Sequence, residues 1–163
     1  MEKTSHAAFY SDEAVDYEAT RYGSRYGKLF RLVQRAALRR SLTPVDDILD
    51  VATGTGQMLP VLSAFGARVV ASDLTPAMLR EARRNFADDE RIVYAVGDAM
   101  RLPYADNAFD IVASSRFLHL FEPYVQRKLV AEMARVLRPG GILIVDFYGL
   151  DARRIFSVPV SIY

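Results

Sequence analysis

Three aspartates lie at or directly after the ends of short apolar segments, where ligands bind in parallel α/β sheets. Asp50 belongs to the first segment, Asp73 ends the second, and Asp98 follows the third. A carboxylate accepts hydrogen bonds, so Asp73 suits the two hydroxyls of a ribose. Asp98, followed by Ala99, suits the amino group and a ring nitrogen of adenine. Taken singly, Asp98 is at least equally typical of an ordinary turn. A solvated aspartate at a strand end is also common, but the position of Asp73, 23 residues after Asp50, favours a functional role.

A glycine-containing turn follows the first apolar segment. Residues 50–56 read DVATGTG, in which Gly54 and Gly56 allow the backbone to approach a ligand closely. The following helix would offer free N–H groups at its start. The dinucleotide-binding fingerprint has three glycines whereas this turn has two, so on its own it is also typical of an ordinary tight turn.

A fourth motif, SSRFLH, occupies residues 114–119 after another apolar segment. Its His119 is a candidate for proton transfer, because imidazole titrates near neutral pH. A single histidine beside apolar residues is more often a structural hydrogen-bonding group, and both interpretations stay open. The sequence has no cysteine and no pair of histidines at helical spacing, so it predicts no metal site.

Apolar segments alternate with helical patterns, and this alternation predicts the elements that position the motifs. Strands are expected at residues 48–52, 69–72, 92–96, 109–114 and 142–147. Helices are expected at 57–65 with Gly66 as C-terminal cap, from Pro76 onward with Thr75 as N-cap, and at 123–137 before the Pro-Gly-Gly of 139–141. Alternation of this kind is typical of an α/β fold with a parallel sheet between helices.

Together, these motifs resemble the class I S-adenosylmethionine-dependent methyltransferases. Within that family the chain is similar to the branch of the ubiquinone and menaquinone biosynthesis methyltransferases. The resemblance covers about residues 45–148 and rests on ILDVATGTG (48–56), ASDLTPAML (71–79), GDA (97–99), LPY (102–104), NAFD (107–110) and LRPGG (137–141). Residues 17–22, YEATRY, resemble the N-terminal lid of the family more loosely. We therefore expect a helical lid at 1–42 and an S-adenosylmethionine-binding domain at 43–163.

The resemblance implies a Rossmann-like, three-layer αβα sandwich with five mostly parallel strands in the order 3-2-1-4-5. It implies S-adenosyl-L-methionine as cofactor and a small-molecule methyl acceptor. By the same resemblance, the site residues fall into four groups. They are Asp50, Ala52, Gly54 and Gly56 at the methionine end; Asp73, Leu74 and Met78 at the ribose and adenine face; Asp98 and Ala99 at the adenine edge; and Ser114 or Ser115 near the sulfonium. Tyr17 and Arg21 would close over the carboxylate end.

Two features depart from the family pattern. Ala52 stands where the family usually has the first glycine of the turn. The chain also ends soon after the fifth strand, leaving room for one short extension interrupted by Pro159. The antiparallel C-terminal strands of the family are therefore expected to be missing. The uncovered edge of strand five then predicts either a fragment or natural truncation, or a partner, such as a second copy, that covers this edge.

Composition excludes several classes of protein. The 163 residues include no cysteine, which removes disulfides and thiol catalysis. A net charge of +1 offers no electrostatic footprint for nucleic acid. No apolar run is long enough to span a membrane and residues 1–6 do not resemble a secretory signal, so a cytoplasmic location is expected.

The expected reaction is in-line transfer of a methyl group to a small molecule, for which the protein supplies alignment and exclusion of water. Two alternatives are a nicotinamide-dependent oxidoreductase and a non-catalytic module for cofactor binding or oligomerisation. The two-glycine turn and the Asp98-Ala99 pair disfavour the first of these.

Overall fold

The computed structural model describes residues 45–146 and Ser157–Val158. Five parallel strands form its sheet: β1 (Val45–Val51), β2 (Gly66–Asp73), β3 (Ile92–Val96), β4 (Phe109–Ser114) and β5 (Leu137–Val145). Their order is β3-β2-β1-β4-β5, which confirms the α/β fold and the predicted strand order. The helices are α1 (Leu59–Leu62), α2 (Pro76–Asn85) and α3 (Pro123–Val136), with a 3₁₀ turn at Leu118–Leu120. The lid expected at 1–42, with Tyr17 and Arg21, lies outside the described residues.

A two-residue strand, β6 (Ser157–Val158), pairs antiparallel with β5. Val158 lies opposite Leu143 and Ser157 lies opposite Ile144. The expectation that antiparallel strands are missing is therefore corrected at these two positions, where the edge of β5 has a partner within the chain. This strand lies within the short extension after the fifth strand that the sequence predicts.

The central strand β1 is buried on both faces of the sheet, to which its successive side chains point in alternation. Ile48 of β1 packs into a core cluster with residues of α1 and α2, such as Leu62 and Ala82. Its neighbour Leu49 packs into a second cluster with Leu129 and Met133 of α3. Helices on both sides of the sheet thus cover the apolar side chains of β1.

The helix expected at 57–65 is confined to the four residues of α1, with turns on either side. Gly66 is the first residue of β2 instead of a helix cap. A Cβ at Gly66 would lie 2.9 Å from Ile48 Cδ1, so this glycine permits close packing between β1 and β2. Pairing of Val45 with Gly66 extends both strands toward their amino ends, beyond the predicted starts.

Residues 137–141 form the start of β5, although the sequence predicts a helix end and a turn there. Leu137 pairs with Phe109, and the pairing then shifts so that Ile142 lies opposite Ile111. Gly140, with φ +79°, accommodates the extra residues of this irregularity.

Candidate active site

A cavity of about 380 Å³, here called the edge cavity, opens at the carboxyl edge of the sheet. Between β1 and β4 the order of the strands reverses, which is where ligands bind in open α/β sheets. The lining residues come from the loops after β1, β2, β3 and β4 and from α2 and α3. They are Asp50, Ala52, Thr53, Gly54, Thr55, Gln57, Met58, Asp73, Leu74, Thr75, Met78, Gly97, Asp98, Ala99, Met100, Ser115, Arg116, Phe117, Leu120, Phe121, Tyr124, Val125, Lys128 and Leu129.

Asp50 lies at the base of the edge cavity and is 1% exposed. Thr53 Oγ1 donates a hydrogen bond of 2.6 Å to Asp50 Oδ2. The pKa of Asp50 is raised to about 7, mainly by burial; the Thr53 hydrogen bond lowers it and the negative charge of Asp73 adds to the rise. Near neutral pH, this carboxyl is poised between its protonated and ionised forms, so a nearby cation would favour ionisation.

Asp73 joins the glycine-containing turn to the start of α2. Its Oδ2 accepts a hydrogen bond of 2.9 Å from the Gly54 N–H, and its Oδ1 accepts one of 2.8 Å from the Thr75 N–H. Burial raises the pKa of Asp73, while the hydrogen bonds from Thr75 and Gly54 lower it. Each carboxylate oxygen can accept a further hydrogen bond, so these contacts are compatible with ribose binding, which stays a prediction.

The turn after β1 passes through the left-handed region at three residues: Ala52 (φ +56°), Gly54 (φ +57°) and Gly56 (φ +87°). This explains why a glycine suits the position of Ala52, where alanine carries a cost of about 1 kcal/mol. A Cβ at Gly54 would meet no atom within 4 Å, whereas a Cβ at Gly56 would lie 2.8 Å from Leu59 Cδ1. Gly56 is not among the residues that line the edge cavity, so its expected place beside a cofactor stays a prediction.

Gly54→Ala and Gly56→Ala should separate binding from folding. Both alanines would be strained by a positive φ, but only Gly56→Ala also clashes with Leu59 and Phe86. We expect Gly56→Ala to lower the free energy of unfolding by about 2–4 kcal/mol and Gly54→Ala by about 1 kcal/mol. Gly54→Ala should instead weaken cofactor binding, because its methyl group lies at the edge cavity. Urea unfolding and calorimetric titration measure the two effects, and equal losses of stability would contradict this division of roles.

Asp98 and Ala99 lie in a tight turn after β3, and both line the edge cavity. Asp98 Oδ1 accepts a hydrogen bond of 2.9 Å from the Met100 N–H. The same segment is held by α3, since Glu132 Oε1 accepts a hydrogen bond of 2.8 Å from the Leu102 N–H and Arg135 Nη2 donates one of 3.1 Å to the Leu102 carbonyl. Two hydrogen bonds at Leu102 therefore fasten the carboxyl end of the loop expected to bind adenine to α3.

Of the two serines proposed near the reacting atoms, only Ser115 lines the edge cavity. Ser114 is 3% exposed within β4, and successive residues of a strand point to opposite sides. Ser115 Oγ donates a hydrogen bond of 2.8 Å to Asp146 Oδ2. His119 is in the 3₁₀ turn and is not among the lining residues, so its proposed role in proton transfer gains no support and stays a prediction.

The structure adds a group of lining residues to which the sequence analysis gave no role. Arg116 and Phe117 belong to the fourth motif but had no role there, and Phe117 meets Phe121 edge to face at a centroid distance of 5.0 Å. Tyr124 and Lys128 reach the cavity from α3, four residues apart on one helical face. Their spacing is the one sequence signal that could have paired them, but it does not indicate a site.

Comparison with known proteins agrees with this geometry. A family model described as a methyltransferase domain matches residues 49–145, more than half of the chain. The chain belongs to this methyltransferase family. Over 114 residues it is 42% identical to the demethylmenaquinone methyltransferase of Clavibacter sepedonicus, and this match covers 68% of this chain and 45% of that protein. The chain spans about half the length of the curated relatives that it matches.

Solved structures of the methyltransferase family share the fold. A candidate methyltransferase of Bacillus halodurans matches with a TM-score of 0.62 and 35% identity, covering 68% of this chain and 49% of the other. Phosphoethanolamine N-methyltransferase 1 of Haemonchus contortus, solved with phosphoethanolamine and S-adenosylhomocysteine, matches with a TM-score of 0.72. At 20% identity, with 87% of this chain and 30% of the other covered, the second match shows the shared fold alone.

Two further features concern residues 45–146 and 157–158. In this part of the chain, no group of three or more His, Asp or Glu side chains is placed to hold a metal ion. The helices described there include none that is long and apolar enough to cross a bilayer.

Proposed function

We propose that the chain binds S-adenosylmethionine in the edge cavity and transfers its methyl group to a small-molecule acceptor. One observation carries this proposal: Asp50, Asp73 and Asp98 meet in a single cavity beside the open turn at Gly54. The cofactor bears a positive sulfonium and an ammonium group, and its adenosyl part carries two ribose hydroxyls. Carboxylates accept hydrogen bonds from the ammonium group and the hydroxyls, and they balance the positive charges of the ammonium and the sulfonium.

The residues present suit each part of this cofactor. Asp50, Ala52 and Gly54 would hold the methionine end, and Asp73 would hold the ribose. The apolar side chain of Leu74 is 41% exposed, and together with Met78 it offers a surface for the adenine face. Asp98 and Ala99 would bind the adenine edge, and Ser115 would lie toward the reacting end.

The chemistry needs little from the protein beyond placement. When bound, the cofactor supplies a methyl group that its positively charged sulfur activates for displacement. Asp50, Asp73 and Asp98 would orient that molecule, and the fastened turns would keep them in position before it arrives. Phe117, Leu120 and Phe121 present apolar surface that keeps water away from the reacting atoms.

The relatives named demethylmenaquinone methyltransferases support an acceptor with a flat ring, and the edge-to-face pair of Phe117 and Phe121 offers such a ring a surface. We further propose a cytoplasmic location, which the lack of cysteine supports. The expected absence of a nucleic-acid partner and the expected self-association at the β5 edge stay predictions.

Calorimetric titration with S-adenosylhomocysteine and with NAD tests the proposal, with transfer of labelled methyl from S-adenosylmethionine to flat aromatic acceptors as the second measurement. We expect one saturable site for S-adenosylhomocysteine and affinity for NAD at least about 30-fold weaker. Tighter binding of NAD would favour the oxidoreductase instead. Cofactor binding without transfer to any acceptor would favour a non-catalytic module.

A further inference from the structure

The edge cavity is divided by charge. Its lining carboxylates, Asp50, Asp73 and Asp98, all come from the ends of β1, β2 and β3. Among the described lining residues, the cationic side chains are Arg116, after β4, and Lys128, on α3. The two signs of charge therefore belong to different structural elements.

Arg116 has a strained backbone conformation, which nearby hydrogen bonds stabilise. Its φ of +57° lies in the left-handed region, which a non-glycine residue occupies at a cost of about 1–3 kcal/mol. Asp146, directly after β5, accepts hydrogen bonds from the Arg116 N–H (2.5 Å) and from Ser115 Oγ (2.8 Å). Strain that the surroundings stabilise in this way clusters at functional sites, and here it fixes where the Arg116 side chain leaves the backbone.

Lys128 lies at the mouth of the cavity beside an exposed aromatic ring. Its Nζ is 5.9 Å from the centroid of Tyr124, which is 59% exposed. Tyr124 and Phe121 line the same cavity, so the wall that carries Arg116 and Lys128 also carries aromatic rings. Such a wall matches a flat ring that carries a negative charge, because the ring stacks while the cations balance the charge.

We infer that the methyl acceptor is an aromatic carboxylate, bound with its carboxylate toward Arg116 and Lys128. This inference rests on the proposed function and adds the charge of the substrate to it. A guanidinium has five N–H donors, so Arg116 can bind a carboxylate while it keeps other contacts. A carboxylate is ionised at neutral pH and so matches the positive charge of Arg116 and Lys128, whereas a phenol is neutral there.

A matched pair of probes tests the inference: 3-hydroxy-2-naphthoate and 2-naphthol, which share the ring and hydroxyl but differ in the carboxylate. Each is titrated into the full chain saturated with S-adenosylhomocysteine. We expect the naphthoate to bind at least about tenfold more tightly than the naphthol. Lys128→Gln should weaken naphthoate binding about fivefold and Lys128→Glu more strongly, with the affinity for naphthol unchanged.

Arg127→Gln is the control, since Arg127 is an exposed cation next to Lys128 that does not line the cavity. It should leave the affinity for both probes unchanged. Equal affinity for the two probes, or no binding of the naphthoate, would overturn the inference. So would a Lys128→Gln variant whose affinity falls for S-adenosylhomocysteine instead, because Lys128 would then bind the carboxylate of the cofactor. Loss of S-adenosylhomocysteine binding by the unmodified chain would contradict the proposed function itself.

Discussion

Replacing Asp73 with alanine should lower the affinity for S-adenosylhomocysteine at least about tenfold. Two effects act in the same direction. The ribose hydroxyls lose their expected acceptor, and the N–H groups of Gly54 and Thr75 lose the carboxylate that now fixes them at 2.9 and 2.8 Å. The turn that approaches the cofactor would therefore lose its anchor as well.

The second effect predicts a loss of stability. The variant leaves the buried Thr75 N–H and the partly buried Gly54 N–H without an acceptor, which should lower the free energy of unfolding by about 2–4 kcal/mol. Affinity is accordingly measured by calorimetry at a temperature where circular dichroism shows the variant to be folded. Asp88→Ala is the matched control, because Asp88 is exposed in the turn after α2 and does not line the edge cavity. A folded Asp73→Ala variant with unchanged affinity would remove Asp73 from the binding site.

Cofactor affinity should rise with pH between about 6 and 8, because the ammonium group at the methionine end of the ligand favours the ionised form of Asp50. The pKa of Asp50 is raised to about 7 by burial, so below that value binding must first release its proton. The limiting change is about tenfold in affinity per pH unit below the pKa. Titration of S-adenosylhomocysteine in buffers of different ionisation enthalpy measures the release directly.

Asp50 should also make the stability of the ligand-free chain depend on pH, in the opposite direction to cofactor affinity. Its pKa is about 7 in the folded state, above the ordinary 3.8, so folding takes up a proton between these values. The contribution of Asp50 to stability is therefore greatest below about pH 4 and is lost as pH rises through about 7. Urea unfolding across this range should show the loss, unless a bound cofactor supplies the missing positive charge.

Asp50→Asn is the control for both pH effects, since an amide oxygen can still accept the Thr53 hydrogen bond. This variant should lose the pH dependence that is due to Asp50 and keep only that of the ligand and of other groups. At pH 8 its ligand-free form should be more stable than the unmodified chain. Identical pH profiles for the two proteins would show that Asp50 does not titrate in this range.

The sequence predicts the carboxylate half of the site well, for a physical reason. Asp50, Asp73 and Asp98 each lie at the end of an apolar strand, and parallel strands bring such ends to one edge. The observed β3 and β4 have the predicted bounds, because their apolar runs are short and clearly limited. The strand order and the bounds of these two strands thus follow from local pattern.

The cationic half depends on packing between distant elements, which local pattern does not carry. Lys128 reaches the cavity because α3 packs against the sheet through Leu129 and Met133. Arg116 is placed by Asp146, which is 30 residues away in sequence. Likewise, Gly66 looks like a helix cap in sequence, and its actual role depends on the proximity of Ile48.

The most direct test of the account is a crystal structure of the chain with S-adenosylhomocysteine. We expect the adenosyl group across the carboxyl ends of β1 to β3, with both ribose hydroxyls within hydrogen-bonding distance of the Asp73 carboxylate. The methionine end should approach Gly54 and Asp50. A ligand found elsewhere, or an edge cavity closed in crystals grown at saturating ligand, would contradict the assignment of the site.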